Sequence, residues 1–427
     1  MFFERPESGS RALLVHIEQE NASAAELWEL TVSAGLVPVG CADVKLRTPD
    51  PRTFVGSGKL QEIVERADEL EAAIVIFDHD LTPAQERNLE RVLARRVLGR
   101  TGLILDIFAA RARTHEGKLQ VELAQLQHAA TRLVRGWTHL DRQRGGAGRG
   151  QGAAMGVTGA GETQLEADQR MIGTRIKRIN ERLARVRRQR AQSRRARKRA
   201  DVNTISLVGY TNAGKSTLFN RVCEADVHAA DQLFATLDPT LRQLELPVVG
   251  KAILTDTVGF IRSLPHGLVD AFRATLEEVK EAQLLLHIVD ASSPEKDYHI
   301  SQVDEVLAEI GAECVPQLLV YNKIDLLDER ARIDRDAEGM PTRVWLSAQT
   351  GEGIDLLIQA TSQLISRDVI ETTVDIDPSQ GQLRAELFAL GAVVAEETSE
   401  DGVIHMKVRI EEHRLRRLAG RAGIAFG

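Results

Sequence analysis

The chain has 427 residues, 43% hydrophobic and 27% charged, which excludes a largely disordered protein and, at roughly 150 residues per domain, leaves room for two to four domains. The start, MFFERPESGS, lacks the basic-then-apolar pattern of a secretory signal, and no apolar run reaches the roughly 18 residues of a membrane span. A soluble cytoplasmic monomer is expected, with attachment to a larger particle or a membrane surface compatible with this reading.

The net charge of −7 conceals an uneven distribution: Arg170 to Arg199 holds fourteen Arg or Lys against one acid, Glu181, so the rest of the chain carries about −20. Cys41, Cys223 and Cys314 are too far apart and in no spacing suited to zinc or a disulfide framework, and read as small buried residues.

From the start, RALLVHIE reads as a strand, NASAAELWELTVSAG as a capped helix and GLVPVGCADVKL as β-rich. GKLQEIVERADEL is helical, AAIVIFD a buried strand, LTPAQERNLERVLARR a helix after a Thr-Pro start, and TGLILDIF a last strand. This alternation predicts a small parallel-sheet α/β domain over residues 1–113. Within it FVGSGKLQEI has part of a phosphate-loop pattern; a tight turn before a helix is the expected reading, a second nucleotide site the alternative.

The pattern then changes to long helices over 114–200. Leu119, Leu123, Leu126, Ala130 and Leu133 recur at steps of four and three, and Leu165, Ile172, Ile176, Ile179, Leu183 and Val186 form a second stripe. Two such stripes fold most simply as an antiparallel hairpin, with the Gly-rich loop from about Gly136 to Gly161 at its tip. The basic side chains of the second helix then lie outside. So dense a positive charge repels itself unless anions are near, which predicts a polyanionic partner.

From residue 201 the β/α alternation returns as far as 368. TISLVG is a strand, KSTLFNRVCEA a helix, and LRQLELP, KAILTD, LLLHIVD, QLLVYN and RVWLSA are further strands. Residues 369–427 hold an acidic connection, ETTVDIDPSQGQ, then a helix and a β-hairpin turning at residues 400–402. The fold class expected is a multidomain α/β protein: an N-terminal α/β domain with a helical hairpin, a nucleotide-binding domain and a small α+β domain.

The chemistry lies in the third segment. GYTNAGKS, comprising Gly209, Tyr210, Thr211, Asn212, Ala213, Gly214, Lys215 and Ser216, follows a strand and opens a helix, as a phosphate-binding loop must. Its glycines let successive N–H groups face phosphate oxygens, Lys215 reaches the β- and γ-phosphates, and the Ser216 hydroxyl suits Mg²⁺. DTVG, made of Asp256, Thr257, Val258 and Gly259, ends a strand. Asp256 can hold Mg²⁺ through water, and the Gly259 N–H can meet the γ-phosphate.

NKID, made of Asn322, Lys323, Ile324 and Asp325, follows another strand. Its final carboxylate can accept hydrogen bonds from N1 and N2 of guanine, which adenine cannot offer, so the nucleotide is GTP or GDP. Asn322 would brace the loops and the Lys323 stem would cover the base. SAQ, comprising Ser347, Ala348 and Gln349, can offer the Ala348 N–H to guanine O6.

Between the phosphate loop and DTVG runs ADQLFATLDPTLRQL. A switch loop must place a Thr hydroxyl on Mg²⁺, and Thr236 and Thr240 both qualify chemically.

The runs LFATLDPT, WTHLDRQRGG with GAGETQLEADQRMI, and GYTNAGKSTLFN together resemble the HflX family of the Obg-HflX GTPases, over essentially the whole chain. The resemblance implies GTP hydrolysis stimulated by the large ribosomal subunit and the splitting of stalled or idle ribosomes under stress. It assigns the Mg²⁺ ligand to Thr236 and the nucleotide contact to Phe234, Ala235, Thr236, Leu237 and Asp238. Asn212 resembles the phosphate-loop asparagine that holds K⁺ in related GTPases, making Lys215, Asn212 and Gly259 the expected catalytic groups.

Phe260 stands where many GTPases carry a water-orienting glutamine, and a phenyl ring cannot orient a proton, so the missing group must come from elsewhere. His287, inside a strand, reads as a packed residue, and His266 in the switch region is ambiguous.

Ribosomal RNA is the expected partner of the basic helix, with Arg144, Arg149 and loop N–H groups as donors. Compared with the family pattern the tip is longer, about RGQGAAMG being inserted, and Ala160 stands where proline is common. The alternatives are a GTPase assembly factor for the large subunit and a plain RNA-binding protein with nucleotide as a structural ligand.

Overall fold

The computed structural model describes residues 9–18, 24–46, 48–136, 164–199, 202–223, 233–234, 240–247, 249–262, 276–366, 369–377, 380–399, 403–411, 415 and 418–419. The hairpin tip with Arg144, Arg149 and Ala160, His266 and the turn at 400–402 lie outside these residues, as do Ala235, Thr236, Leu237 and Asp238. No described helix is long and apolar enough to cross a membrane.

The N-terminal sheet contains β1 (Arg11–Ile17), β2 (Val37–Val44), β3 (Ile74–Phe77) and β4 (Arg96–Leu98), all parallel in the order β2-β1-β3-β4. Helices cover both faces, so β1 after Arg11 and all of β3 are continuously buried rather than alternating. These helices are α1 (Ala24–Ser33), α2 (Ser57–Glu69), α3 (Pro83–Leu93) and α4 (Arg100–Arg111). Thr82 starts α3 with a full capping box: its hydroxyl accepts from the Gln85 N–H, and the Gln85 side chain accepts from the Thr82 N–H. FVGSGKLQEI is a turn whose Gly56 precedes α2, with Phe54 at φ 65.

TGLILDIF corrects the sequence reading: it is part of α4, and the last strand is the three-residue β4 just before it. Leu103, Ile104, Leu105, Ile107 and Phe108 are all buried, so the helix is apolar nearly all round and has no polar face to reveal its period. Ala94, in the left-handed conformation, ends α3 and frees Arg96 to begin the strand.

α5 (His115–Gly136) and α6 (Gln164–Arg199) form the hairpin. Leu119 and Leu123 pack against Ile179 and Leu183, with Leu126 and Ile176 alongside. Glu122 pairs with Arg175 and Glu116 with Arg190, each at 2.6 Å, a descending-against-ascending order that fixes the helices as antiparallel. Lys177, Arg178, Arg182, Arg185 and Arg188 are exposed on α6.

The central sheet has the order β10-β11-β9-β8-β5-β7-β6. Its strands are β5 (Asn203–Gly209), β6 (Thr240–Leu246), β7 (Gly250–Asp256), β8 (Leu284–Asp290), β9 (Gln317–Asn322), β10 (Arg332–Arg335) and β11 (Pro341–Trp345). Pairs β6/β7 and β10/β11 are antiparallel and the others parallel. The charged edge strand β10, RIDR, carries no apolar signal and was not legible in the sequence. It is held instead by Arg332 over the Trp345 ring and by Trp345 donating to Asp334. Helices α7 (Lys215–Cys223), α8 (Lys296–Glu309) and α9 (Ile354–Ile365) accompany this sheet.

The C-terminal sheet, order β12-β14-β13, consists of β12 (Val369–Ile376), β13 (Val393–Thr398) and β14 (Ile404–Glu411), with α10 (Gly381–Ala389). The first half of the stretch taken as an acidic connection is therefore a strand. Its Val374 and Ile376 are buried while Glu371 faces outward and pairs with Lys407 and Arg409, so the acids mark the solvent face of a half-buried strand.

Candidate nucleotide site and its domain contacts

The phosphate loop is held in shape by its backbone. Gly209 and Gly214 have φ 146 and 92, and a Cβ at either would overlap Ile288 O or the Asn322 side chain. Asn212 is also left-handed, at φ 61. Lys215 opens α7, and its ammonium is buried, donating to Gly209 O at 3.0 Å and Tyr210 O at 2.6 Å. Burial pulls its pKa down to about 8, with Asp256 working in the opposite direction. Phosphate oxygens would replace those carbonyls as its partners and restore the charge.

The Ser216 hydroxyl donates to the Asp256 carboxylate at 2.8 Å. Two hard oxygen donors at the mouth of a phosphate cradle suit Mg²⁺, which takes few protein ligands and completes its shell with phosphate and water. No group of three or more His, Cys, Asp or Glu able to hold a metal occurs among the described residues. Thr240, the other switch candidate, begins β6 directly opposite Asp256.

Beyond Asp256, the next two side chains of DTVG are engaged elsewhere. The Thr257 hydroxyl donates to Leu207 O at 2.5 Å, and Val258 is buried in the N-terminal core. Gly259 is confined: a Cβ there would lie 2.9 Å from Lys215 Nζ and 3.0 Å from Thr211 Cα. Phe260 is 3% exposed and packs with Val208, Leu276 and Val279. Its N–H donates to Gly209 O at 3.1 Å and its carbonyl accepts from the Thr211 N–H at 2.8 Å. The residue in the glutamine position is thus an apolar anchor, unable to direct water. His287 is 1% exposed, and burial pushes its pKa down to about 4, so it is a neutral packed residue.

Asn322 joins the loops expected to select the base. It donates to Ala213 O and accepts from the Ala348 N–H, both at 2.9 Å, bracing the phosphate loop against SAQ. The Ala348 N–H expected to face guanine O6 is therefore already engaged, and guanine would share or displace that bond. Asp325 lies on a short 3₁₀ turn after Lys323, and one of its carboxylate oxygens accepts from the Ser347 hydroxyl. Lys323, at φ 67, pairs with Asp290 at 2.8 Å. Ile324 is buried, and the Gln349 carbonyl accepts from Arg221.

The sequence did not reveal the contact of this site with the N-terminal domain. Phe234 turns its ring onto Phe108, edge to face at 4.6 Å, and the Leu233 N–H donates to the Ser33 hydroxyl at 3.0 Å. Tyr210 donates to Glu26 at 3.2 Å and accepts from the Arg262 N–H at 2.9 Å. Asn212 Nδ2 lies 3.5 Å from Glu29. Arg100 bridges Glu26, Asp78 and the Arg262 carbonyl. Burial opposes the Arg100 charge, but Glu26 and Asp78 outweigh it and hold the guanidinium protonated. A cavity of about 280 Å³ opens between α1, the phosphate loop and the end of β8, lined among others by Glu26, Glu29, Asn212, Asp290 and His299.

Family comparisons cover nearly the whole chain. Residues 21–109 match the family described as GTP-binding GTPase N-terminal and residues 111–197 its middle region. Residues 204–323 match 50S ribosome-binding GTPase, and residues 332–425 match the HflX C-terminal domain. GTPase HflX of Escherichia coli is 53% identical over 421 residues, 97% of both chains. GTPase HflX of Magnetococcus marinus is 47% identical over 377 residues, 88% of this chain and 85% of that one. Among solved structures, a GTP-binding protein of Sulfolobus solfataricus with GDP is similar at 24% identity and TM-score 0.44, over 84% of this chain and 99% of that one.

Residues 204–323, which carry GYTNAGKS, DTVG and NKID, form a GTP-hydrolysing domain, and the relatives extend over the segments before and after it. The chain belongs to the HflX family of GTPases.

Proposed function

We propose that this GTPase binds the large ribosomal subunit through α6 and the glycine-rich tip, and splits stalled or idle ribosomes under stress. Contact with the ribosome stimulates its hydrolysis of GTP to GDP and phosphate. The observation that carries this reading is the placement of α6. Its exposed Lys177, Arg178, Arg182, Arg185 and Arg188 form a surface suited to RNA phosphate, and the helix ends at Arg199, shortly before β5 begins at Asn203 and delivers the phosphate loop. One helix thus joins a polyanion surface to the nucleotide site.

In the mechanism, phosphate-loop N–H groups and Lys215 hold the β- and γ-phosphates, and the Gly259 N–H meets the γ-phosphate. Ser216 and Thr236, with Asp256 behind, would hold Mg²⁺, which when bound draws charge off the phosphate oxygens. Phe260 leaves the attacking water without a local guide, so intrinsic turnover is slow until ribosomal contact orders the switch segments. Asn212, the phosphate-loop asparagine, would offer its amide oxygen to K⁺ beside the phosphates. Turnover should then be several-fold faster in K⁺ than in Na⁺ at equal ionic strength; equal rates would remove the ion from the mechanism.

Sucrose gradients of purified ribosomes with this protein and a non-hydrolysable GTP analogue test the function. Dissociation into subunits is expected. Binding to isolated large subunits alone would point instead to an assembly factor, and binding indifferent to nucleotide to a plain RNA-binding protein. Deleting Gly145 to Gly159 should leave GTP affinity unchanged and abolish splitting; unchanged splitting would reduce the loop to a connector.

A further inference from the structure

The order β2-β1-β3-β4 places a topological switch point in the N-terminal sheet, because the connections from β1 lead to β2 on one side and, through β2, to β3 on the other. In open parallel sheets the crevice beyond the carboxyl ends of such a strand pair is where ligands are held. The next-to-last residue of β1 is His16, and Asp78 directly follows β3. They meet at 3.2 Å, and Arg100 at the start of α4 reaches Asp78 Oδ1 at 2.6 Å.

This crevice already contains a side chain from another domain. Arg262 Nη2 contacts Asp78 Oδ2 at 2.8 Å, and the Arg262 carbonyl accepts from Arg100 at 3.2 Å. The Asp78 side chain is 1% exposed and that of Arg262 11%. Glu26 and Asp78 are balanced by Arg100 and Arg262. Without Arg262 the cluster would keep a carboxylate in excess where water scarcely reaches, an arrangement that costs far more than a surface pair.

Arg262 is three residues beyond Gly259, and the segment around that glycine is fastened to both domains. Val258 and Ile261 are buried in the N-terminal core, while Phe260 is buried in the G domain and bonded to both Gly209 and Thr211. The Arg262 N–H also rests on the Tyr210 hydroxyl, itself part of the phosphate loop. A chain pinned at each of these positions cannot draw Gly259 toward a γ-phosphate without shifting Arg262 against Asp78.

We propose that the ligand crevice of the N-terminal domain takes Arg262 as its ligand, and that Arg262 is the positioning residue through which the γ-phosphate contact at Gly259 sets the docking of that domain. The proposal rests on the reading of residues 256–259 as the γ-phosphate contact. A bound ligand changes such an equilibrium only through contacts that differ between states, and in this proposal the Arg262–Asp78 pair is that contact.

Amide hydrogen exchange of α1 and α4, measured on the full chain with GDP and with a non-hydrolysable GTP analogue, tests this. In the unmodified protein exchange there should differ at least about fivefold between the two nucleotides. In Arg262→Ala the difference should vanish while β1 and β3 stay protected and affinity for a fluorescent GTP analogue stays within about threefold. Asp78→Asn should act likewise, with no further loss when combined with Arg262→Ala, and Arg262→Lys should keep part of the difference. A merely structural arginine would alter both nucleotide forms alike. A difference that survives in Arg262→Ala, or an unmodified protein that binds both nucleotides with no difference at α1 and α4, would overturn the proposal. Absence of GTP binding in the unmodified protein would instead strike at the nucleotide site itself.

Discussion

Replacing Lys215 with Ala should lower GTP turnover by at least about a hundredfold, in line with the loss of one preorganised donor to a developing phosphate charge. The ammonium is buried on β5 and α7, where it donates to Gly209 O and Tyr210 O, and burial lowers its pKa to about 8. A cation held there against that pressure has little value to the fold and full value only when phosphates arrive. Without nucleotide the variant should therefore melt within a few degrees of the parent. Added GTP or GDP should raise the melting temperature of the parent and scarcely that of the variant. Turnover by phosphate release and melting with and without GDP are the measurements. A variant with near-parent turnover would mean that phosphate charge is met elsewhere.

What was legible in the sequence follows the distance over which each feature is encoded. The phosphate loop is local: Gly209, Gly214 and Lys215 lie within seven residues and their conformations are set by that run. The heptad stripes were equally legible, since Leu119 and Leu123 meet Ile179 and Leu183 through a period visible in either helix. The α4 error has a physical cause, because a helix buried on most sides loses the polar face that shows its period.

The domain junction was illegible for a different reason. Arg262 finds Asp78 across 184 positions, and Tyr210 finds Glu26 across the same separation. No window of sequence holds both partners. The one available signal was topological: His16, Asp78 and Arg100 each stand at the carboxyl side of the parallel sheet, where open α/β sheets collect functional groups. Phe260 shows the converse case. Its identity ruled out a water-orienting role from sequence alone, and only the structure shows that it fastens the switch segment to Gly209 and Thr211.

Changing Asp325 to Asn should exchange the base preference from guanine to xanthine. The carboxylate can accept from both N1–H and the N2 amine of guanine, whereas xanthine carries an oxygen at C2 in place of that amine. An asparagine amide accepts from N1–H and donates to the C2 oxygen, so it fits xanthine and sets a donor against the guanine amine. Unpaired polar groups in a closed site cost about 1–3 kcal/mol each, so GTP should lose on the order of a hundredfold or more in affinity while xanthosine triphosphate gains comparably. The loop itself should survive. Ser347, which donates to the Asp325 carboxylate, can donate to the amide oxygen or accept from the amide nitrogen, and Asn322 continues to brace Ala213 and Ala348. Parallel titrations of parent and variant with fluorescent guanosine and xanthosine nucleotides decide the matter. If the variant binds GTP as tightly as the parent, Asp325 does not read the base, and guanine selection must rest on the SAQ loop, where guanine O6 would share the Ala348 N–H with Asn322 or displace it.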